Sequence, residues 1–186
     1  SEVERVKEEL KRLLEDLDRK NKRMIDEDER LNKELNEENE RLIRELEELL
    51  KRLKEIRDKL TDRDTLKKII DEIDKRLKEL IERSRRRNRE ILEESKKLIE
   101  ESKRTNREIE RRAKKLIDDL RRRVREKEEV KREIDKLREE IREVIERLDK
   151  KNEDVLRKSE KNVRDLNREN EEVLRRATEA VRELER

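Results

Sequence analysis

Valine, leucine and isoleucine recur every three to four residues from Val3 to Leu184, with few gaps. That spacing follows the 3.6-residue turn of an α-helix, whereas a disordered chain would show no fixed period. Two interruptions leave three apolar-periodic segments of similar length, about 2 to 60, 64 to 124 and 128 to 185. The first interruption is Thr61-Asp62-Arg63-Asp64-Thr65, short polar residues that bond to nearby backbone and compete with helix. Thr61 with Asp64 reads as a capping box, as does Ser1 with Glu4, and Asp64 is an alternative N-cap. The second, Arg125 to Glu129, contains only good helix formers, yet apolar residues vanish there and the six-residue step from Val124 to Val130 rotates the stripe by roughly 120°. Arg121 to Arg123 and Arg125 before this break, and Glu128, Glu129 and Glu133 after it, suit the C-terminus of one helix dipole and the N-terminus of the next.

Within each segment the apolar seam repeats at 18 residues, five turns of straight helix. Leu17, Leu35 and Leu53 share one phase, and Val6, Met24, Leu42 and Leu60 another; Ile81, Ile99 and Ile117 align in the second segment, and Ile145, Val163 and Val181 in the third. A heptad would repeat at 3.5 residues per turn and impose a left-handed supercoil; an 18-residue repeat predicts helices that run nearly straight. Doublets such as Leu13-Leu14, Ile69-Ile70 and Val144-Ile145 widen each stripe enough to touch two neighbours. The expected fold is therefore all-α: a long, nearly straight, untwisted antiparallel three-helix bundle running up-down-up as a single elongated domain over 1–186.

Polar residues interrupt the seam in a systematic way. Asn21 and Asn39 take the phase of Val3, Asn88 and Asn106 that of Ile70, and Asn152 and Asn170 that of Ile134; Ser84 and Ser102 take that of Leu66, Ser95 that of Leu77, and Ser159 that of Ile141. Folding the chain so that facing residue numbers add to about 126 across the first turn and about 254 across the second puts these positions into common levels. One holds Asn21, Asn106 or Ser102, and Asn152; another Asn32, Ser95 and Ser159; a third Asn39, Asn88 or Ser84, and Asn170. Agreement among three segments predicts buried side-chain hydrogen-bond networks that define register, as a seam asparagine does in coiled coils. Asn36, Asn162 and Asn167 lie at the stripe edge and are expected to face water, and Asp28, in phase with Leu10, is expected at the seam edge or beside an arginine.

Composition narrows the function. Charged residues make up 62% of the chain, and Gly, Pro, Cys, His, Gln, Phe, Tyr and Trp are absent, which leaves mainly helix formers and few chemical tools. The net charge of +3 is a small difference between 59 basic and 56 acidic residues, so the footprint of a nucleic-acid-binding protein is missing. It divides by segment: residues 1 to 61 carry −3, 62 to 126 carry +7 and 127 to 186 carry −1, which sets a basic middle helix between acidic neighbours. No run of 18 apolar residues exists, so no membrane span and no membrane partner are expected. A soluble protein compatible with cytoplasmic recombinant expression follows, and Ser1 as first residue with Met24 as sole methionine suggests release from a longer expressed product.

No catalytic, cofactor or metal site is expected: without His or Cys the serines have no suitable base, and the Glu-x-x-His motif of di-iron bundles is missing. The basic run Arg83, Arg85, Arg86, Arg87 and Arg89 could touch phosphates but lacks aromatic rings for stacking and sits among acids. Charge-saturated helices of equal length, a Gly-free turn at Thr61 to Thr65 and layered Asn and Ser in an 18-residue repeat together resemble de novo parametric helical bundles with designed hydrogen-bond networks, along the whole chain. That resemblance implies a scaffold or a self-associating module with no active site. No partner is required; a monomer is favoured, and a homo-oligomer or a partner-binding module is the alternative.

Overall fold

A computed structural model describes residues 1–59, 61–124 and 128–185. They form three α-helices: α1 (Glu2–Lys59), α2 (Arg63–Arg123) and α3 (Glu128–Glu185). The fold is an all-α three-helix bundle. Leu60, which the sequence assigned to the end of the first helix, and the first three residues of the second break, Arg125 to Lys127, lie outside the described residues.

The start of α1 follows expectation, because the Glu4 N–H donates to Ser1 Oγ (3.4 Å) and the Arg5 N–H to the Ser1 carbonyl (3.2 Å). At α2 the cap is Asp62, not Thr61 or Asp64. Its Oδ1 accepts the Asp64 N–H (3.2 Å), its carbonyl accepts the Leu66 N–H (3.1 Å), and its Oδ2 accepts the Thr65 hydroxyl (2.8 Å). A carboxylate two residues ahead of a free N–H is an ideal cap and starts the helix one residue earlier than the polar run suggested.

By contacts the chain forms two compact units, each built from one segment of every helix. The first unit comprises Ser1–Glu29 and Ser95–Lys158. Its ion pairs Arg123–Glu2 (3.6 Å) and Arg138–Asp118 (2.6 Å) set α2 antiparallel to both neighbours, and Lys7–Glu133 (3.5 Å) joins the two parallel helices. The core packs Val6, Leu10 and Leu17 against Ile109, Ala113, Ile117 and Leu120 and against Ile134, Ile141, Ile145 and Leu148.

The second unit comprises Arg30–Glu94 and Ser159–Arg186. One of its cores joins Leu46, Leu77, Leu80, Ile81, Val173 and Ala177, and another joins Leu53, Ile70 and Val181. Arg87–Glu38 (3.1 Å) and Arg76–Glu45 (3.4 Å) set α1 antiparallel to α2 here too. No large hydrophobic side chain is exposed among the described residues, which matches stripes wide enough to be covered on two sides. None of the described helices is long and apolar enough to cross a membrane.

Candidate functional site

Among the described residues ten polar or charged side chains are buried, and they interrupt the apolar stripes of all three helices. In the first unit Asn21, Ser102, Asn106 and Asn152 form one network. Each is held there by the stripe that flanks it, since Leu17 and Ile25 place Asn21 inward, and Ile99 and Ile109 do the same for Ser102 and Asn106. Asn21 uses all of its capacity: Nδ2 donates to Asn106 Oδ1 (2.7 Å) and to the Leu17 carbonyl (2.9 Å), and Oδ1 accepts from Ser102 Oγ (2.8 Å) and Asn152 Nδ2 (3.2 Å). Ser102 Oγ also lies 3.2 Å from Asn152 Oδ1, so one hydroxyl links three helices. Asn106 Nδ2 continues to Asp149 Oδ1 (3.1 Å), whose other oxygen takes Arg107 (3.0 Å) and thereby carries the network to the surface. That contact raises the Arg107 pKa above its ordinary value, chiefly through the hydrogen bond to Asp149.

The second unit holds a counterpart. Ser84 Oγ donates to Asn39 Oδ1 (3.2 Å) and accepts from Asn170 Nδ2 (2.6 Å), again joining three helices through one serine. Asn88 Nδ2 donates to Asn167 Oδ1 (2.8 Å). The two networks correspond position by position, because Asn39, Asn170 and Asn167 each follow Asn21, Asn152 and Asp149 by 18 residues, and Ser84 and Asn88 precede Ser102 and Asn106 by 18. Their bonding differs, since Asn170 Nδ2 donates to Ser84 Oγ where Asn152 Nδ2 donates to Asn21 Oδ1. Asn39 Nδ2 donates to Glu169 Oε2 (3.4 Å), where Asn21 donates to Asn106, and Asn88 Oδ1 and Asn170 Oδ1 are left without a hydrogen-bond partner. Beside this network the hydrogen bond from Arg87 to Glu38 raises the arginine's pKa.

The remaining predicted level is divided. In the second unit half-buried Asn32 donates to Ser159 Oγ (3.0 Å) and accepts from Asn162 Nδ2 (3.0 Å). Ser95 belongs to the first unit, fully buried, and its hydroxyl has no hydrogen-bond partner. Asn162 and Asn167 were expected to face water, but both are half-buried and bonded across helices; Asn36 is exposed as expected. Asp28 is 2% exposed, so it is a buried carboxylate rather than an edge residue, and it is an interacting one. Asp149 and Glu169 escaped the reading of the sequence because charged residues beside a seam normally face water; the 18-residue interval from Asp149 to Asn167 is the signal that picks out the first. No cluster of three or more His, Cys, Asp or Glu suited to a metal ion occurs among the described residues.

No protein-family model matches the chain, and a search of curated proteins finds no similar sequence. Among solved structures the chain is similar to one described as "Computationally designed three helix bundle", with a TM-score of 0.58 and 21% identity over 99% of this chain and 86% of that one. At that identity the likeness concerns the fold, and it is the same three-helix bundle reached above from residues and contacts.

Proposed function

We propose that the chain is a designed structural scaffold whose buried Asn and Ser residues select one register among the helices, with no catalytic task. The observation that carries this reading is the recurrence at 18 residues of one residue set joined across three helices by a serine: asparagine on α1, serine and asparagine on α2, asparagine on α3. A seam of leucine and isoleucine alone accepts slipped pairings, whereas a slip that separates Ser102 from Asn21 and Asn152 strands desolvated polar groups. Support also comes from the absence of eight residue types and from likeness to a designed bundle. In this reading the 18-residue repeat is parametric, the helices run straight, and the chain folds as one cooperative domain.

The scaffold acts as a monomer that needs no partner, a reading supported by the lack of exposed large hydrophobic residues among those described. Light scattering at micromolar concentration should return a mass near 23.2 kDa. A mass that is a multiple of this would favour the rival reading, a self-assembling module. Replacing Asn21, Ser102, Asn106 and Asn152 together by apolar residues should give mixed oligomers in sedimentation; a variant as monodisperse as the parent would remove the register role.

A further inference from the structure

A groove of about 500 Å³ opens between α1 and α2 in the second unit, beside the Ser84 network. Leu35, Leu42 and Leu80 supply apolar wall, and Asn88 reaches it from the buried network. Two features of this groove call for a ligand. The first is Asn88, which is 1% exposed, spends its Nδ2 on Asn167 and leaves Oδ1 with no donor. Its counterpart Asn106 is satisfied by Asn21, but Asn39 turns its amide to Glu169 instead. A desolvated acceptor of this kind favours any group that brings an N–H or O–H to it.

The second feature is charge. The groove's carboxylates are engaged: Glu38 and Glu90 by Arg87 (3.1 and 3.6 Å), and Glu45 by Arg76 (3.4 Å). Arg41, Arg83 and Arg86 also line the groove, are exposed, and form no ion pair among the described residues. Guanidinium groups recognise phosphate through paired N–H donors. The corresponding positions in the first unit are Arg23, Glu101 and Arg104, so a glutamate stands there in place of Arg83 and the three-arginine rim is found in the second unit.

We propose that this groove is a binding site for a small organic phosphate that carries a hydroxyl group. The phosphate lies among Arg41, Arg83 and Arg86, the hydroxyl donates to Asn88 Oδ1, and the carbon body lies along the leucine wall. The volume falls within the range of small-molecule sites. With no aromatic ring in the chain, base stacking is absent, and a small phosphate is favoured over single-stranded nucleic acid.

The test is an NMR titration of the full-length chain with glycerol 3-phosphate at low salt. Saturable shifts are expected at the Asn88 side-chain amide and along residues 83 to 88, and the double variant Arg83→Gln, Arg86→Gln should bind about tenfold more weakly or worse. Both arginines are exposed, so the variant should fold as the parent does, and neither network loses a member. Sulfate has the charge but no O–H donor and should leave the Asn88 side-chain amide unmoved. The proposal is overturned if sulfate shifts that amide as glycerol 3-phosphate does, if the double variant binds equally well, if no shift saturates, or if a short single-stranded oligonucleotide perturbs the same residues more strongly. None of these failures touches the scaffold reading, which rests on Ser84 and Ser102.

Discussion

Ser95 and Ser102 lie seven residues apart on α2, both fully buried, and the same substitution should move stability in opposite directions at the two sites. Ser102→Ala removes the hydroxyl that donates to Asn21 Oδ1 and contacts Asn152 Oδ1. Asn21 Oδ1 keeps Asn152 Nδ2, so the group stranded is Asn152 Oδ1, at a cost of about 1 to 3 kcal/mol for a buried acceptor. Alanine's better helix propensity returns up to about 0.5 kcal/mol, and the net loss should be about 0.5 to 2.5 kcal/mol. Ser95→Ala breaks no hydrogen bond, since that hydroxyl has no partner. It relieves a desolvated polar group and gains the same propensity, and should stabilise by about 1 kcal/mol.

Asn21→Leu extends the series, because it strands both Asn106 Oδ1 and Asn152 Nδ2 and should cost about twice as much as Ser102→Ala. Replacing Asn21, Ser102, Asn106 and Asn152 together leaves no stranded member and should cost far less than the sum of the single changes. Guanidinium melts followed by helical circular dichroism would measure all four variants. Midpoint shifts of similar size in the same direction for Ser102→Ala and Ser95→Ala would show the two hydroxyls to be equivalent and would exclude the Ser102 network as a source of stability.

Asp62→Ala should lower stability by about 1 kcal/mol in the same melts, because the Asp64 N–H and the Thr65 hydroxyl lose their acceptor, while Thr61→Ala should have little effect. Leu17→Ala and Leu53→Ala, at fully buried positions in separate cores, should each cost about 2 to 5 kcal/mol, and Leu14→Ala, only half-buried, clearly less. The arginine pKa values raised by Glu38 and Asp149 contribute stability that is present below the ordinary arginine range and lost only as pH rises through strongly alkaline values. With no His or Cys, the melting midpoint should stay flat from about pH 6 to about pH 9, and a step in that window would count against this account.

Helix positions and the three-helix architecture were legible in the sequence because both depend on short-range periodicity: apolar spacing of three to four residues marks a helix, and stripe width marks how many neighbours it touches. Two of the polar levels, those of Asn21 and Asn39, followed from numbering, since two helices of fixed rise joined by a short turn face one another at a nearly constant sum of residue numbers, whereas Ser95 did not join Asn32 and Ser159. Atomic pairing did not follow. Asn88 and Ser84 both reach the level of Asn39, and only the packed rotation of α2 makes the serine the bridge and turns Asn88 to Asn167. Capping was misread for a related reason: Thr61, Asp62 and Asp64 are all competent caps, and only the folded backbone brings the Asp62 carboxylate onto the Asp64 N–H. Asp149 and Glu169 joined the networks because a neighbouring helix presented a donor to each. Sequence period thus determines which face of a helix is buried, while the tertiary structure decides which donor meets which acceptor, because a rotation of a few tens of degrees exchanges hydrogen-bond partners without changing which residues are inside.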